Sequence, residues 1–197
     1  FRYGIDIEER QHTNDHIEDI IELYLRMLKK TITFDDANFP IFVFEKPNVN
    51  TLEDVTKDGI HLVIGINLHH EAQLALREYV LKEIDNVLEE LPLKNNYESV
   101  LDKGISTGKT NWQLYGSRKP GNEAYRLTKY YSIKWDSEEN DFEWVDEMTD
   151  TINHEEIFDL VSARKKDNVQ FDLKDDILER CKKADSSKAQ SKSKVRN

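Results

Sequence analysis

Cysteine is nearly absent from this chain: Cys181 stands alone among 197 residues. An internal disulfide is excluded, and a reducing compartment is the natural expectation. Long apolar runs are also missing, since no stretch approaches the roughly 20 residues of a membrane span. Excess basic charge is missing too. The formal net charge of −11 argues against a protein that simply coats nucleic acid. A starting Met is absent, and "FRYGIDIEERQ" reads as the middle of something longer, so a fragment or trimmed domain is expected. What remains is an ordinary globular composition, 38% hydrophobic and 34% charged. The length suits one domain with a real core and an appended tail.

The average charge hides a partition. Lys103 to Lys134 holds seven basic residues (Lys103, Lys109, Arg118, Lys119, Arg126, Lys129, Lys134) against one acid, Glu123, whereas Trp135 to Asp159 holds eleven acids and no Lys or Arg. Local field decides where a polyanion sits. A basic segment that also carries Trp112, Tyr115, Tyr125, Tyr130 and Tyr131 is a candidate contact for nucleic acid or a triphosphate. The competing reading is a polar sheet face with solvated lysines.

Periodicity gives a mixed order of helices and strands. His12 to Lys30 repeats apolar residues at helical spacing behind the N-cap chemistry of Thr13 to Asp15. Pro40 to Pro47 and Gly59 to Ile66 read as strands, the second buried on both faces. Glu71 to Leu91 reads as a second amphipathic helix. "NWQLYG" and "AYRLTKYYSI" alternate in strand fashion around a Pro120-Gly121 turn, and "DFEWV" extends the pattern. His154 to Arg164 and Leu173 to Lys183 suit short helices, and the Ser/Lys-rich end reads as disordered tail. The fold class is therefore α+β, mixed in order.

The stretch "LDKGISTGKTNWQLYG" imitates a phosphate-binding P-loop but fails the test. That loop needs four residues between its first Gly and the Gly-Lys pair, and a helix after it. Gly104 and Gly108 are separated by three residues, and "NWQLYG" follows as a strand pattern. Other features carry chemistry instead. "KDGIH" puts Lys57, Gly59 and His61 on one face of a strand, since alternate residues share a face. A positive pair there suits a triphosphate, against the alternative of a histidine satisfied by a core neighbour. "VLD" reads as a carboxylate at a strand end, Asp102, suited to a divalent metal, or as a turn-forming Asp before Lys103-Gly104. "NWQLYGSRK" offers Asn111, Ser117, Arg118 and Lys119 as donors. His12 and His16, four apart, have a zinc-compatible spacing, but with one cysteine and no further cluster they read as surface histidines.

In order, "KDGIHLVI", "VLDKGIST" and "NWQLYGSRKPGNEAYRLT" resemble the archaeo-eukaryotic primase (AEP) superfamily, closest to the primase domains of nucleocytoplasmic large DNA viruses. The likeness spans about Phe1 to Arg164. It implies an α/β module beside an RRM-like antiparallel sheet. It also implies a nucleotidyltransferase that makes primers on a single-stranded DNA template, with two Mg2+ or Mn2+ ions held by acids. By resemblance, Asp102 is the metal ligand or its electrostatic partner. Lys57 and His61 hold the incoming nucleoside triphosphate, Gly59 lets it approach, and Asn111 contacts its sugar or phosphate. Gln113 stands where relatives often carry arginine, which puts a triphosphate contact there in doubt; Arg118 or Lys119 would compensate.

The family's first motif, an Asp-x-Asp or Asp-x-Glu pair, is expected just upstream of Phe1; the rival is "DIE", Asp6 and Glu8. If the pair lies upstream, this stretch by itself is inert as a catalyst. The resemblance further implies a C-terminal helicase domain in the full-length protein, no membrane, and a cytoplasmic or nuclear site in an infected host cell. The expected division is 1–164 for the primase-like domain, 165–183 for a helical extension and 184–197 for a tail or linker. The alternative function is a non-catalytic nucleic-acid-binding or interaction domain that keeps the fold.

Overall fold

The computed structural model describes residues 1–107, 115–147, 149, 152–162 and 168–194. Chain order is β1 (Arg2–Ile5), α1 (Asn14–Leu28), β2 (Ile32–Thr33), β3 (Phe39–Glu45), β4 (Asn50–Thr51) and β5 (Thr56–Ile64). Then come α2 (His70–Leu81), α3 (Asp85–Leu88), α4 (Tyr97–Val100), α5 (Lys103–Ser106) and β6 (Arg126–Asp136). The order closes with β7 (Asp141–Glu147), α6 (His154–Leu160), β8 (Asp172–Leu173) and α7 (Asp175–Lys194). The α+β reading holds. Strands β1-β5-β3-β6-β7 form one antiparallel sheet, with β4 also paired to β5, and β2 pairs β8 separately.

Alternation explains how the sheet divides its two faces. On one face Ile41 and Val43 of β3, Ile60 of β5, and Tyr131 and Ile133 of β6 join Tyr3 and Ile5 of β1 in the main core. Helix α1 covers that face with Ile17, Ile20, Ile21, Leu25 and Leu28. Each such side chain, fully buried, contributes roughly 1.5–3 kcal/mol. Thr13 caps α1, and its backbone N–H donates to His16 Nδ1. On the opposite face Phe42 and Phe44 meet Ile157 of α6 together with Tyr115, Tyr125 and Tyr130.

The expected single helix over Glu71 to Leu91 divides. Helix α2 ends at Leu81, and Lys82 and Glu83 donate three residues back, to Tyr79 and Val80. This tighter turn brings Ile84 and Leu88 into the same core as Val80. Helix α7 runs beyond Lys183 to Lys194, through the segment read as a disordered tail. Its first turns are anchored on α2 by Ile177 and Cys181 against Ala72 and Ala75, and by the two-pronged Arg180–Glu78 pair. Once that nucleus is fixed, adding Ser/Lys turns costs little, because propagation is far easier than nucleation. The "NWQLYG" strand falls on residues outside the described ones up to Leu114, and Tyr115 and Gly116 form a turn.

A buried polar cluster ties the N-terminal segment to the sheet. Arg10 donates from Nε to Asp58 Oδ2 at 2.8 Å and from Nη2 to Asp58 Oδ1 at 3.2 Å. It also reaches Glu45 Oε1 at 3.1 Å and the Lys46 carbonyl at 2.6 Å. His12 Nε2 donates to Glu45 Oε1 at 2.7 Å, because a carboxylate can only accept, while its Nδ1 bonds the Tyr3 hydroxyl. His12 is buried, at 5% exposure, and is not the surface histidine expected from the lack of a further ligand cluster. Thr128 stands at a register shift of β6 against β3 and donates to Glu45 Oε2 at 2.6 Å. Burial works to raise the Glu45 pKa, but the bonds from His12 and Thr128 and the charge of Arg10 outweigh it and hold it at about 2.

Two outcomes are expected. Arg10→Ala strands a fully buried Asp58 carboxylate and lowers unfolding free energy by about 3 kcal/mol in urea titration. Glu45 has its ordinary value of 4.5 when unfolded and about 2 when folded. Its stabilisation is complete above pH 4.5 and is lost as pH falls through 2, so Glu45→Gln flattens the acid limb of the stability curve.

Candidate functional site

The site is built where β1 and β5 pair. Along β5, Lys57, Gly59 and His61 share one face while Asp58 and Ile60 turn to the other. Strand β1 lies against this stretch with Arg2 opposite Gly59 and Gly4 opposite Lys57. The Phe1 nitrogen donates to the Ile60 carbonyl at 2.7 Å, and the Ile60 N–H returns a bond to the Phe1 carbonyl at 3.0 Å. A Cβ at Gly59 would sit 2.4 Å from the Phe1 oxygen and 3.2 Å from Arg2 Cα. In this structure the missing side chain at Gly59 admits the backbone of β1. That is a different use of the glycine from the close ligand approach its motif suggests.

His61 is half-buried opposite Phe44 of β3. The ring of Tyr125 stacks on the imidazole at 3.6 Å between centroids and 15° between planes. Burial first, and then nearby positive charge including Lys46, push the His61 pKa down to about 4, against a smaller upward pull from Asp102. His61 is therefore neutral at physiological pH. The positive pair read from "KDGIH" reduces to Lys57 beside a neutral imidazole that donates or accepts hydrogen bonds without contributing charge.

Asp102 does not end a strand. It follows α4 and opens α5, accepting the Gly104 N–H at 2.8 Å on Oδ1, which is the turn-forming alternative. Its side chain is exposed. Its charge is nonetheless felt weakly at His61. Arg77 of α2 holds this corner in place, donating from Nε and Nη2 to the Leu101 carbonyl at 2.9 and 2.7 Å. The structure thus brings His61 and β1 together through the β1–β5 pairing, with Asp102 close enough for its charge to be felt by His61.

Other expected residues stand apart or out of view. Asn111 and Gln113 lie outside the described residues, as do Gly108, Lys109 and Arg164. Arg118 and Lys119 are exposed in the loop before Pro120. Asp6 is exposed and ion-paired with Lys94, beyond the far end of β1 from Phe1, and Glu8 is exposed close by. Sequence reading missed Arg10, Glu45 and Asp58, which brace this strand from its other face, and named Tyr125 only as one aromatic of the basic segment, not as the ring that covers His61. Asp58 did leave a signal: an acid on the core-facing side of a strand, between Thr56 and Ile60, requires a buried partner.

The fit of a divalent metal is incomplete. Asp102 offers one carboxylate oxygen beyond its bond to Gly104, and Asp58 is already committed to Arg10. Among the described residues no group of three or more His, Cys, Asp or Glu side chains is placed to hold a metal ion. Among them also, no helix is long and apolar enough to cross a membrane.

Gly59→Ala forces the β1 backbone away from β5 and lowers stability by about 1–3 kcal/mol, read by chemical denaturation. A proton NMR titration of His61 shows its ring neutral until pH falls to about 4.

Residues 1–131 match the family described as the C962R protein N-terminal AEP domain. The chain is also 32% identical over 117 residues to the "Putative helicase L207/L206" of Acanthamoeba polyphaga mimivirus. That alignment covers 58% of this chain and 12% of the mimivirus protein, so the chain spans a small part of that relative's length. With the β1–β5 corner lying inside the matched region, the chain belongs to the C962R protein N-terminal AEP domain family.

Proposed function

We propose that this domain is the nucleotidyltransferase module of a viral replication primase–helicase, joining nucleotides into primers on single-stranded DNA. The observation that carries the reading is the placement of Lys57, Gly59 and His61 on one face of β5, where β1 pairs with it, inside the region that matches the AEP-domain family. Family membership and a helicase-named viral relative support it. In this reading Lys57 supplies positive charge to the triphosphate and neutral His61 supplies a hydrogen bond. Asp102 is the acid turned toward the reacting phosphates.

The described carboxylates do not complete a two-cation site for Mg2+ or Mn2+, so further acids belong to the proposal. An acidic pair directly ahead of Phe1 in the full-length protein would enter at the Phe1 end of β1, beside Gly59 and Ile60 of β5. Asp6 and Glu8 stand at the other end of β1, and Asp6 is engaged by Lys94, which favours the upstream pair. Asn111, Arg118 and Lys119 complete the proposed nucleotide contacts from the basic segment.

In the full-length protein, Asp102→Ala abolishes metal-dependent primer synthesis on single-stranded template. His61→Ala raises the KM for nucleotide more than it lowers kcat. Undiminished synthesis by the Asp102 variant overturns the assignment in favour of a binding domain that keeps the fold without the chemistry.

A further inference from the structure

Residues Gly121 to Tyr125 form a strap that crosses from the Pro120 turn to the start of β6 and ends on His61. Gly121 makes the bend with φ of +73°, a conformation that favours glycine. The Asn122 backbone N–H donates to the Lys119 carbonyl at 3.0 Å, and its side-chain amide donates to the Pro120 carbonyl at 3.2 Å. The strap is fastened to the β3–β4 connection at two points. Asn48 donates its backbone N–H and its side-chain amide to the two Glu123 oxygens, each at 2.9 Å. Lys46 donates to Asn122 Oδ1 at 3.3 Å and stands 5.5 Å from the centroid of the Tyr125 ring. Tyr125 is thereby held flat against the imidazole at 3.6 Å.

Two planar rings at that separation leave no room for a third group between them. Anything that contacts the covered face of His61 takes the place of the Tyr125 ring. The fastenings are of a kind that yields. Glu123 and Asn48 are at the surface, where water competes for their bonds. Lys46 bonds a neutral amide and faces a ring, and a polyphosphate is a stronger partner for an ammonium than either.

We propose that Tyr125 is a displaceable cover of His61, and that a nucleoside triphosphate opens it by drawing Lys46 away from the strap and taking the ring's place. This rests on the reading of His61 as a nucleotide contact. Closed and open straps are two states of one equilibrium, and the nucleotide shifts it by binding the open state alone. Tyr125 and the Asn48–Glu123 clasp then set apparent nucleotide affinity without being reacting groups.

The test is the rate at which diethyl pyrocarbonate modifies His61 in the intact protein, followed by peptide mass spectrometry with and without ATP and Mg2+. This readout is local to His61 and is not disturbed by nucleotide bound elsewhere. With the open state at about a tenth of molecules or fewer, Tyr125→Ala speeds modification of His61 at least about tenfold. Glu123→Ala, which removes only the clasp, moves in the same direction, and Tyr125→Phe keeps the wild-type rate. In Tyr125→Ala and Glu123→Ala, ATP protects His61 at concentrations below those needed in the wild type. Unchanged modification rates in both variants overturn the cover, and so does protection that needs more ATP once the ring is removed. Faster modification with no protection at any ATP concentration supports the cover and overturns the nucleotide as its occupant. Circular dichroism of each variant shows whether a change in rate reflects unfolding.

Discussion

The bidentate pair between Arg10 and Asp58 is the constraint on which the site depends. Asp58 has no exposed side-chain surface, and a carboxylate so placed is tolerable only with a matched cation and further donors. Arg10 supplies the cation, the Gly59 N–H adds a bond at 2.8 Å, and the Tyr3 hydroxyl adds a longer one at 3.4 Å. The same guanidinium holds Glu45 and the Lys46 carbonyl. One side chain therefore fixes β5 at Asp58, the end of β3 and the segment leading into α1.

That bracing lies on one side of β5, and the candidate residues Lys57 and His61 lie on the other. Because Asp58 and His61 are joined by three peptide units of the same strand, the buried cluster sets the height and direction of the imidazole without touching it. Gly59, between them, lets β1 close against the strand. The low pKa of His61 follows mainly from burial, with nearby positive charge, that of Lys46 included, adding to it. On this face β5 presents a neutral ring and a lysine.

Much of the fold is legible in the residues themselves. Helix α1 shows in its apolar spacing, β3 in its proline-bounded run and β5 in its continuous apolar stretch, because a strand or stripe buried against a core must carry that pattern. Pattern does not show where a helix tightens, as at Lys82, nor how far α7 extends once its first turns are docked. The site is legible in part. "KDGIH" and Asp102 are marked by residue type and order, and both fall in the region that matches the AEP-domain family. Asp102 opens a short helix and does not end a strand, because two apolar residues before an acid look alike in both settings.

By itself the sequence determined the α+β class, the main elements and the motif residues, since these follow from local periodicity and composition. It determined the family likeness as well, through the order of short motifs. Tertiary structure alone decided that His12 is buried beside Glu45, that Gly59 serves the backbone of β1, and that Tyr125 lies on His61 from 64 positions along the chain. These are contacts between residues distant in sequence, and periodicity says which face a residue takes but not what meets it there. The charge of His61 was decided in the same way, because its pKa is set by the burial and neighbours that folding provides.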